Sequence, residues 1–520
     1  MFKNHPKGLI PAALSNMGER FGYYIMNAVL VLFLCSKFGL AEETSSIVYS
    51  VFYAGIYVLS LVGGLIADKT QNYKGTIIWG LIVMTLGYVV LAFPILATAE
   101  NTGWLLALTC VALFLIAFGN GLFKGNLQAV VGQLYDNPRY SQYRDAGFQI
   151  FYVFINIGGV VAPFVAPMLR SWWLDVNGMV YNAAFPAMCH EFLSVVDTPD
   201  QSTMDGLYAM MSQVGGGAVE HTREAVSAFC TRYLDVFNTG IHYSFIASVA
   251  AMLISLTIFL CTKKGLPTPA AKAKGETATY TAEEKAAMAK EIKQRMYALF
   301  AVLGIAIFFW FSFHQNGTSM SLFARDFVDT SSIAPEIWQA VNPFFVIVLT
   351  PIIMWIFGSM LMRGKEISTP RKIAIGMGLA GIAYLFMTVY SAAMNYPSGA
   401  DFRQMVAAGA DVVKSGPWVL ILYYFFMTVA ELFISPLGLS FVSKVAPKHL
   451  QGLCQGLWLG ATAVGNLLLW IGPLIYNSAP IWVAWAVFLS VCVISMGIMF
   501  GMVKWLERVT SDQPAPAKTA

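Results

Sequence analysis

Five ionisable side chains stand inside stretches of sequence that are otherwise apolar: Glu19 and Arg20 in LSNMGERFGYYIMNAVL, Lys124 in GNGLFKGN, His314 in WFSFHQNGTS and Glu431 in AELFISPLGLS. Burying such groups is costly unless they are paired or face water. A carboxylate beside a cation makes an ion pair that a proton breaks, because the neutral acid no longer attracts its partner. Glu19 is placed for that chemistry, with Arg20 or Lys124 as its partner. Arg20 and Lys124 in the first half of the chain and Glu431 in the second make a dipolar constellation. It suits a ligand with an anionic group at one end and an ammonium at the other. His314 titrates nearer neutral pH than a carboxylate and can take up a proton itself; the alternative is a neutral ring hydrogen-bonded between helices.

The elements that hold these residues are long apolar helices. Hydrophobic residues make up 57% of the 520 and charged residues 12%, where a soluble domain has about 25% charged. Runs long enough to cross roughly 30 Å of hydrocarbon, about 20 residues each, recur twelve times, over approximately 10–36, 44–67, 75–97, 104–134, 146–169, 241–261, 297–322, 337–361, 373–394, 417–442, 452–475 and 480–503. The first follows Lys3 and Lys7 and is too long and too polar at its start for a cleaved signal peptide. With these bounds, only Glu19, Arg20, Lys124 and Glu431 among Asp, Glu, Lys and Arg fall inside spans. Intramembrane charges of this kind are functional candidates; a structural ion pair between spans, or snorkelling at a span end, is the plainer alternative.

Placing the N-terminus in the cytoplasm puts most of the 32 Lys+Arg in inner loops and more than half of the 28 Asp+Glu in outer ones, which fixes the orientation with both termini cytoplasmic. The net charge of +4 is thereby accounted for and carries no hint of nucleic-acid binding. The organisation expected is an N-terminal bundle over 1–170 completed by a sixth helix at 241–262, an extracytoplasmic insertion over 171–240, a cytoplasmic linker over 263–296, a C-terminal bundle over 297–506 and a tail over 507–520. The insertion is acidic and carries Cys189 and Cys230, which leaves a disulfide between them open in an oxidising compartment.

In the first span Asn16, Arg20, Tyr23 and Asn27 recur at i, i+4, i+7 and i+11 and so share one helix face, with Glu19 and Tyr24 flanking it. A polar stripe on an apolar span faces a cavity or another helix rather than lipid.

At these residues the sequence resembles the proton-dependent oligopeptide transporter family, a branch of the major facilitator superfamily. The likeness runs over nearly all twelve spans through eight ordered segments: NMGERFGYY, GGLIADKTQNYKGTI, GNGLFKGN, FQIFYVFINIGG, WFSFHQNGTS, VNPFFVIVLTP, AELFISPLGLS and QGLWLGATAVGN. The resemblance implies an all-α integral membrane protein of the major facilitator fold, twelve transmembrane helices in two six-helix bundles, whose central cavity opens alternately to each side. It implies proton-driven import of di- and tripeptides by a monomer in a bacterial inner membrane, with no cofactor. By the same resemblance Arg20 and Lys124 would hold the peptide carboxylate and Glu431 the amino group. Asn156 and Asn342 would bond the peptide backbone, and Tyr24, Tyr57, Trp310 and Trp458 would line side-chain pockets. Asn156 has a plainer reading as a helix-packing hydrogen bond, and Asn342, before Pro343, as a partner for backbone freed by that proline.

Three positions depart from the family pattern: Asn16 replaces the first glutamate of the first-span motif, Asn27 an arginine, and His314 a seventh-span acid. They leave Glu19 and His314 as the candidates for proton coupling. A carrier of another small anion or zwitterion, such as nitrate, a conjugated metabolite or a drug-like peptide mimic, is the alternative function. An enzyme is disfavoured, because the spans hold no HExxH, no GxxxxGK[ST] and no paired catalytic carboxylates. A passive channel fits poorly with charges of opposed sign.

Overall fold

The computed structural model describes residues 4–98, 100–182, 185–194, 201–267, 282–329, 341–407 and 413–511. Parts of the expected insertion, linker and tail, residues 195–200, 268–281 and 512–520, lie outside the described residues. The first half contains α1 (Leu9–Phe38), α2 (Glu42–Thr70), α3 (Tyr73–Ala92), α4 (Thr102–Leu134), α5 (Arg144–Val176), the short α6 (Phe185–Ser194) and α7 (Gln201–Met211), and α8 (Arg223–Thr262). The second half contains α9 (Ala282–Phe313), α10 (Ser319–Phe327), α11 (Val341–Met362), α12 (Thr369–Ala393), α13 (Gly399–Ala407), α14 (Trp418–Val445), α15 (Gln451–Leu467), α16 (Ile471–Ser478) and α17 (Ile481–Ser511).

Twelve of the helical segments are long and apolar enough to span a bilayer, and the chain is a multi-pass membrane protein. Large apolar side chains such as Val51, Phe114, Trp355 and Ile494 stand exposed on the outside, as a hydrocarbon solvent requires. Spans seven and eleven are broken. A tight turn at His314–Gly317 separates α9 from α10, and a short break separates α15 from α16. Helix α8 runs 40 residues, about 60 Å at 1.5 Å per residue, so it projects well beyond the hydrocarbon. Within 171–240, residues 171–176 therefore finish α5, and those from Arg223 onward begin α8. Cys189 on α6 and Cys230 on α8 are both buried and carry free thiols.

Twelve crossings place both termini at one end of the molecule, called here the terminal end. Most of the hydrogen bonds joining the two halves, among the described residues, gather there. On α2, Asp68 accepts from the backbone N–H groups of Gly452 (2.9 Å) and Leu453 (2.7 Å) in the first turn of α15, where a helix presents unsatisfied donors and partial positive charge. The Tyr73 hydroxyl donates to the same carboxylate. On α5, Asp145 accepts from Lys372 and Lys444, both at 2.8 Å, and from Thr369 and Ser440. Arg144 donates to the Ser443 carbonyl at 3.1 Å. Helices α2 and α15 meet backbone to backbone: a Cβ added at Gly64 would lie 2.5 Å from the Gly452 carbonyl, so only glycine permits this approach.

These contacts correct the expectation that buried charge is confined to four residues. Lys37, Asp68 and Lys372 are 6%, 7% and 5% exposed. The apolar runs end just before or begin just after them, whereas the helices continue through them and neighbouring helices cover them.

Candidate functional site

A cavity of about 240 Å³ lies between the two halves, walled by α1, α2, α4 and α5 on one side and α9, α11, α14 and α15 on the other. Each wall follows from one helix face. On α1, Arg20 and Tyr24 stand one turn apart and line the cavity. Tyr23 is instead buried, with the Arg20 guanidinium 4.6 Å from its ring centre. On α2, Tyr53 and Tyr57 repeat at i, i+4, with hydroxyls 3.1 Å apart. The Lys124 ammonium on α4 sits 5.3 Å from the Tyr57 ring centre. Trp458 on α15 reaches the site because Gly438 on α14 offers no side chain, and any Cβ there would strike its indole.

The charges are partnered unequally. Glu19 is fully buried and does not line the cavity. Arg20 donates to both its oxygens, Nε to Oε2 at 2.6 Å and Nη2 to Oε1 at 2.5 Å, and Asn120 adds a third donor at 2.6 Å. Glu19 is thus paired with Arg20 rather than Lys124. Among the described residues Lys124 enters no ion pair. The same holds for Glu431 on α14, which only neutral groups hold: Tyr152 of α5 donates to Oε1, and Asn342 of α11 donates to Oε2 at 2.7 Å. An uncompensated cation on one wall therefore faces an uncompensated carboxylate on the other.

The neutral residues divide. Asn156 lines the cavity, yet its amide donates to the Tyr152 carbonyl of its own helix at 2.9 Å. Asn342 donates to Glu431 and to Thr428 (3.0 Å), not to backbone freed by Pro343. His314 lines the cavity immediately after α9, and its ring stacks on Trp310 with centres 5.0 Å apart and planes 16° apart. The Trp310 Nε1 donor and the Gln128 Oε1 acceptor are buried without a partner among the described residues, which leaves them available to a ligand. No group of three or more His, Cys, Asp or Glu residues placed to hold a metal occurs among the described residues.

Arg20, Tyr24, Tyr57, Lys124, Asn156, Trp310, His314, Asn342, Glu431 and Trp458 are all brought to this cavity; Glu19 lies behind it. Sequence reasoning missed Tyr53, Gln128 and Tyr152, which also line it. Each lies four residues from one it found (Tyr57, Lys124 and Asn156), so extending every candidate by one helical turn would have identified them.

A model of the POT family matches residues 74–195 and 266–479. Dipeptide and tripeptide permease A of Edwardsiella piscicida is 30% identical over 464 residues, covering 86% of this chain and 82% of the permease. Dipeptide and tripeptide permease B of the same organism is 27% identical over 477 residues, covering 89% and 86%. Among solved structures, a peptide transporter POT in complex with sulfate superimposes with a TM-score of 0.58 at 20% identity, covering 98% of this chain and 96% of that one. A POT family transporter in complex with a thioalcohol-conjugated peptide gives 0.57 at 20% identity, covering 98% of each. The structural likeness establishes the two-bundle major facilitator fold.

Proposed function

The chain belongs to the POT family, and on that premise we propose that it imports di- and tripeptides together with protons by alternating access, through the cavity between its two bundles. The observation that carries this reading is the unequal pairing of the cavity charges. Lys124 faces Glu431 across the bundle interface, and neither has a counter-ion among the described residues. A short peptide zwitterion satisfies both, its carboxylate on Lys124 and its ammonium on Glu431. The aromatic walls, Tyr24, Tyr57, Trp310 and Trp458, accept varied side chains because they offer apolar area without directional demands. Asn156 and Asn342 hydrogen-bond the peptide backbone.

Arg20 is occupied by Glu19 in this state. Protonation of Glu19 releases the guanidinium to join Lys124 at the peptide carboxylate, which ties proton uptake to substrate binding. His314, stacked on Trp310, is the alternative carrier of that proton. One proton travelling with a zwitterion moves one net charge inward, about 2.3 kcal/mol per 100 mV of membrane potential. The terminal end is cytoplasmic, as the Lys/Arg bias requires, so the contacts of Asp68 and Asp145 close the cytoplasmic side. The protein acts as a monomer in the bacterial inner membrane.

The test is uptake of a radiolabelled alanyl dipeptide into proteoliposomes under an inward proton gradient. Accumulation that collapses with a protonophore and is competed by unlabelled dipeptides supports the reading. Competition by nitrate or acetylated amino acids, but not by dipeptides, assigns the cavity to an anion and leaves Glu431 without a partner.

A further inference from the structure

A second polar cluster lies at the end of the bundle remote from the termini, far from the central cavity. Lys37, in the last turn of α1, is 6% exposed, and its ammonium lies 2.9 Å from His242 Nε2 on α8. His242 Nδ1 is 2.6 Å from the Leu91 carbonyl, which can only accept. Nδ1 therefore carries the ring proton and Nε2 accepts from Lys37. A neutral imidazole leaves the lysine charge uncompensated, and Lys37 enters no ion pair among the described residues. Helix α6 is pinned above it by His190, whose Nε2 donates to the Ser36 carbonyl at 2.7 Å. The His190 ring packs on Gly39, which has φ +65°. A left-handed conformation and this close approach both call for glycine there.

Two cavities meet at Lys37 and His242. One, of about 480 Å³, has mixed walls, with the polar groups of Thr98, His190, Asp235 and Asn238 set among apolar side chains. The other, of about 260 Å³, is apolar, lined by Phe33, Val90, Leu105 and Leu108. Asp235 is exposed at the rim and shares a face of α8 with Asn238 and His242 at i, i+3 and i+7. Seven residues of helix separate Asp235 from His242 by about 10 Å. That backbone spacing is of the same order as the reach of a phosphate and an ammonium joined by a two-carbon bridge with one hydrogen bond of about 3 Å at each end.

We propose that these joined cavities bind a phospholipid with an ethanolamine headgroup, its phosphate on Lys37, its ammonium on Asp235 and one acyl chain in the apolar groove. The continuity of this mixed cavity with that apolar groove favours a lipid over a soluble zwitterion. Exposed Phe93 and Trp104 flank the same end, at the level where aromatic side chains mark the membrane–water interface.

The test is thermal unfolding of the full chain in detergent with added didecanoyl phosphatidylethanolamine. Parallel titrations use phosphatidylcholine and phosphatidylglycerol of equal chain length, and phosphorylethanolamine as a headgroup without tails. The ethanolamine lipid is expected to raise Tm saturably and more than either other lipid, because a quaternary ammonium donates no hydrogen bond and a glycerol headgroup carries no amine. Asp235→Ala, at an exposed position, is expected to shift the midpoint for the ethanolamine lipid upward about tenfold, equivalent to about 1.4 kcal/mol, and to leave the phosphatidylglycerol response unchanged. Lys37→Met is expected to abolish the selective response, and Asp235→Ala decides the matter if that variant does not fold. Equal stabilisation by all three lipids, or no shift in Asp235→Ala, would overturn the proposal. Stabilisation by phosphorylethanolamine alone equal to that by the lipid would overturn it in favour of a soluble-zwitterion site.

Discussion

Tyr152 donates its phenolic hydrogen to Glu431, so the carboxylate on the C-terminal wall is oriented by a side chain from the N-terminal bundle. With Asn342 on the other oxygen, two neutral donors hold the acid in place without cancelling its charge. Tyr152→Phe removes one donor and keeps the packing. The expected result is a dipeptide KM raised about tenfold with little change in maximal rate, since a hydrogen bond to a charged group contributes about 1.5–3 kcal/mol, part of which Asn342 retains. Initial uptake rates over a substrate series measure it. An unchanged KM would mean that the tyrosine only packs.

Glu431→Gln keeps the volume and the acceptor for Tyr152 but removes the only uncompensated negative charge in the cavity walls among the described residues. Uptake of dipeptides is expected to be lost, with binding weakened by about 3 kcal/mol, a factor of roughly 100, while the purified protein elutes and unfolds like the wild type. Normal uptake by this variant in proteoliposomes would remove the model in which opposed charges clamp the two ends of the peptide.

The twelve spans and the charges of the cavity were legible because hydrophobic length and a charge within it are one-dimensional properties of the chain, whereas Tyr57, Asn156, Trp310, Asn342 and Trp458 were reached only through the family resemblance. Arg20, Lys124 and Glu431 stood out as charges in apolar runs wherever the helices might cross. The bond from Tyr152 to Glu431 was not legible, since it joins residues 279 positions apart and depends on how two bundles face. Asp68 and Asp145 were hidden for another reason. They sit where hydropathy falls and read as loop charges, although α2 runs on through Asp68 and buries it against α15, and Asp145, in the first turn of α5, is largely covered by the lysines of the opposite bundle. Partnering was equally out of reach: Glu19 sits within reach of either cation, and only the fold shows that Arg20 takes it.

The Glu19–Arg20 pair makes a prediction about coupling. Glu19→Gln mimics the protonated acid, frees the Arg20 guanidinium permanently and still accepts from Asn120. Proton-driven accumulation is expected to fall to the level reached without a gradient, while exchange of external for preloaded dipeptide persists within about twofold, an effect below about 0.5 kcal/mol. Counterflow and gradient-driven uptake on the same proteoliposomes separate the two. Full accumulation by Glu19→Gln would transfer the proton to His314, and His314→Gln would then be expected to lose it.

Asp145 carries the last prediction, because it binds two lysines of the opposite bundle at once. Lys372 is 5% exposed, so taking away its carboxylate strands a buried cation, and this costs far more than losing a surface pair. Lys444 is partly exposed and keeps access to water, which reduces the penalty. Asp145→Asn is therefore expected to destabilise the closed terminal end by about 2 kcal/mol, a factor of roughly 30 in the ratio of closed to open forms. Backbone hydrogen exchange should accelerate over residues 440–445 and 369–372, where the partners lie, and stay unchanged in α8. Glu291→Gln, which alters an i,i+4 pair within α9 whose carboxylate is more than a third exposed, should leave all of these regions as they were. Adding Lys372→Met to Asp145→Asn should restore much of the protection, because an apolar side chain needs no counter-ion. Exchange that is unaltered in Asp145→Asn, or that rises equally in both bundles, would show that the cluster contributes general stability and does not hold this end shut.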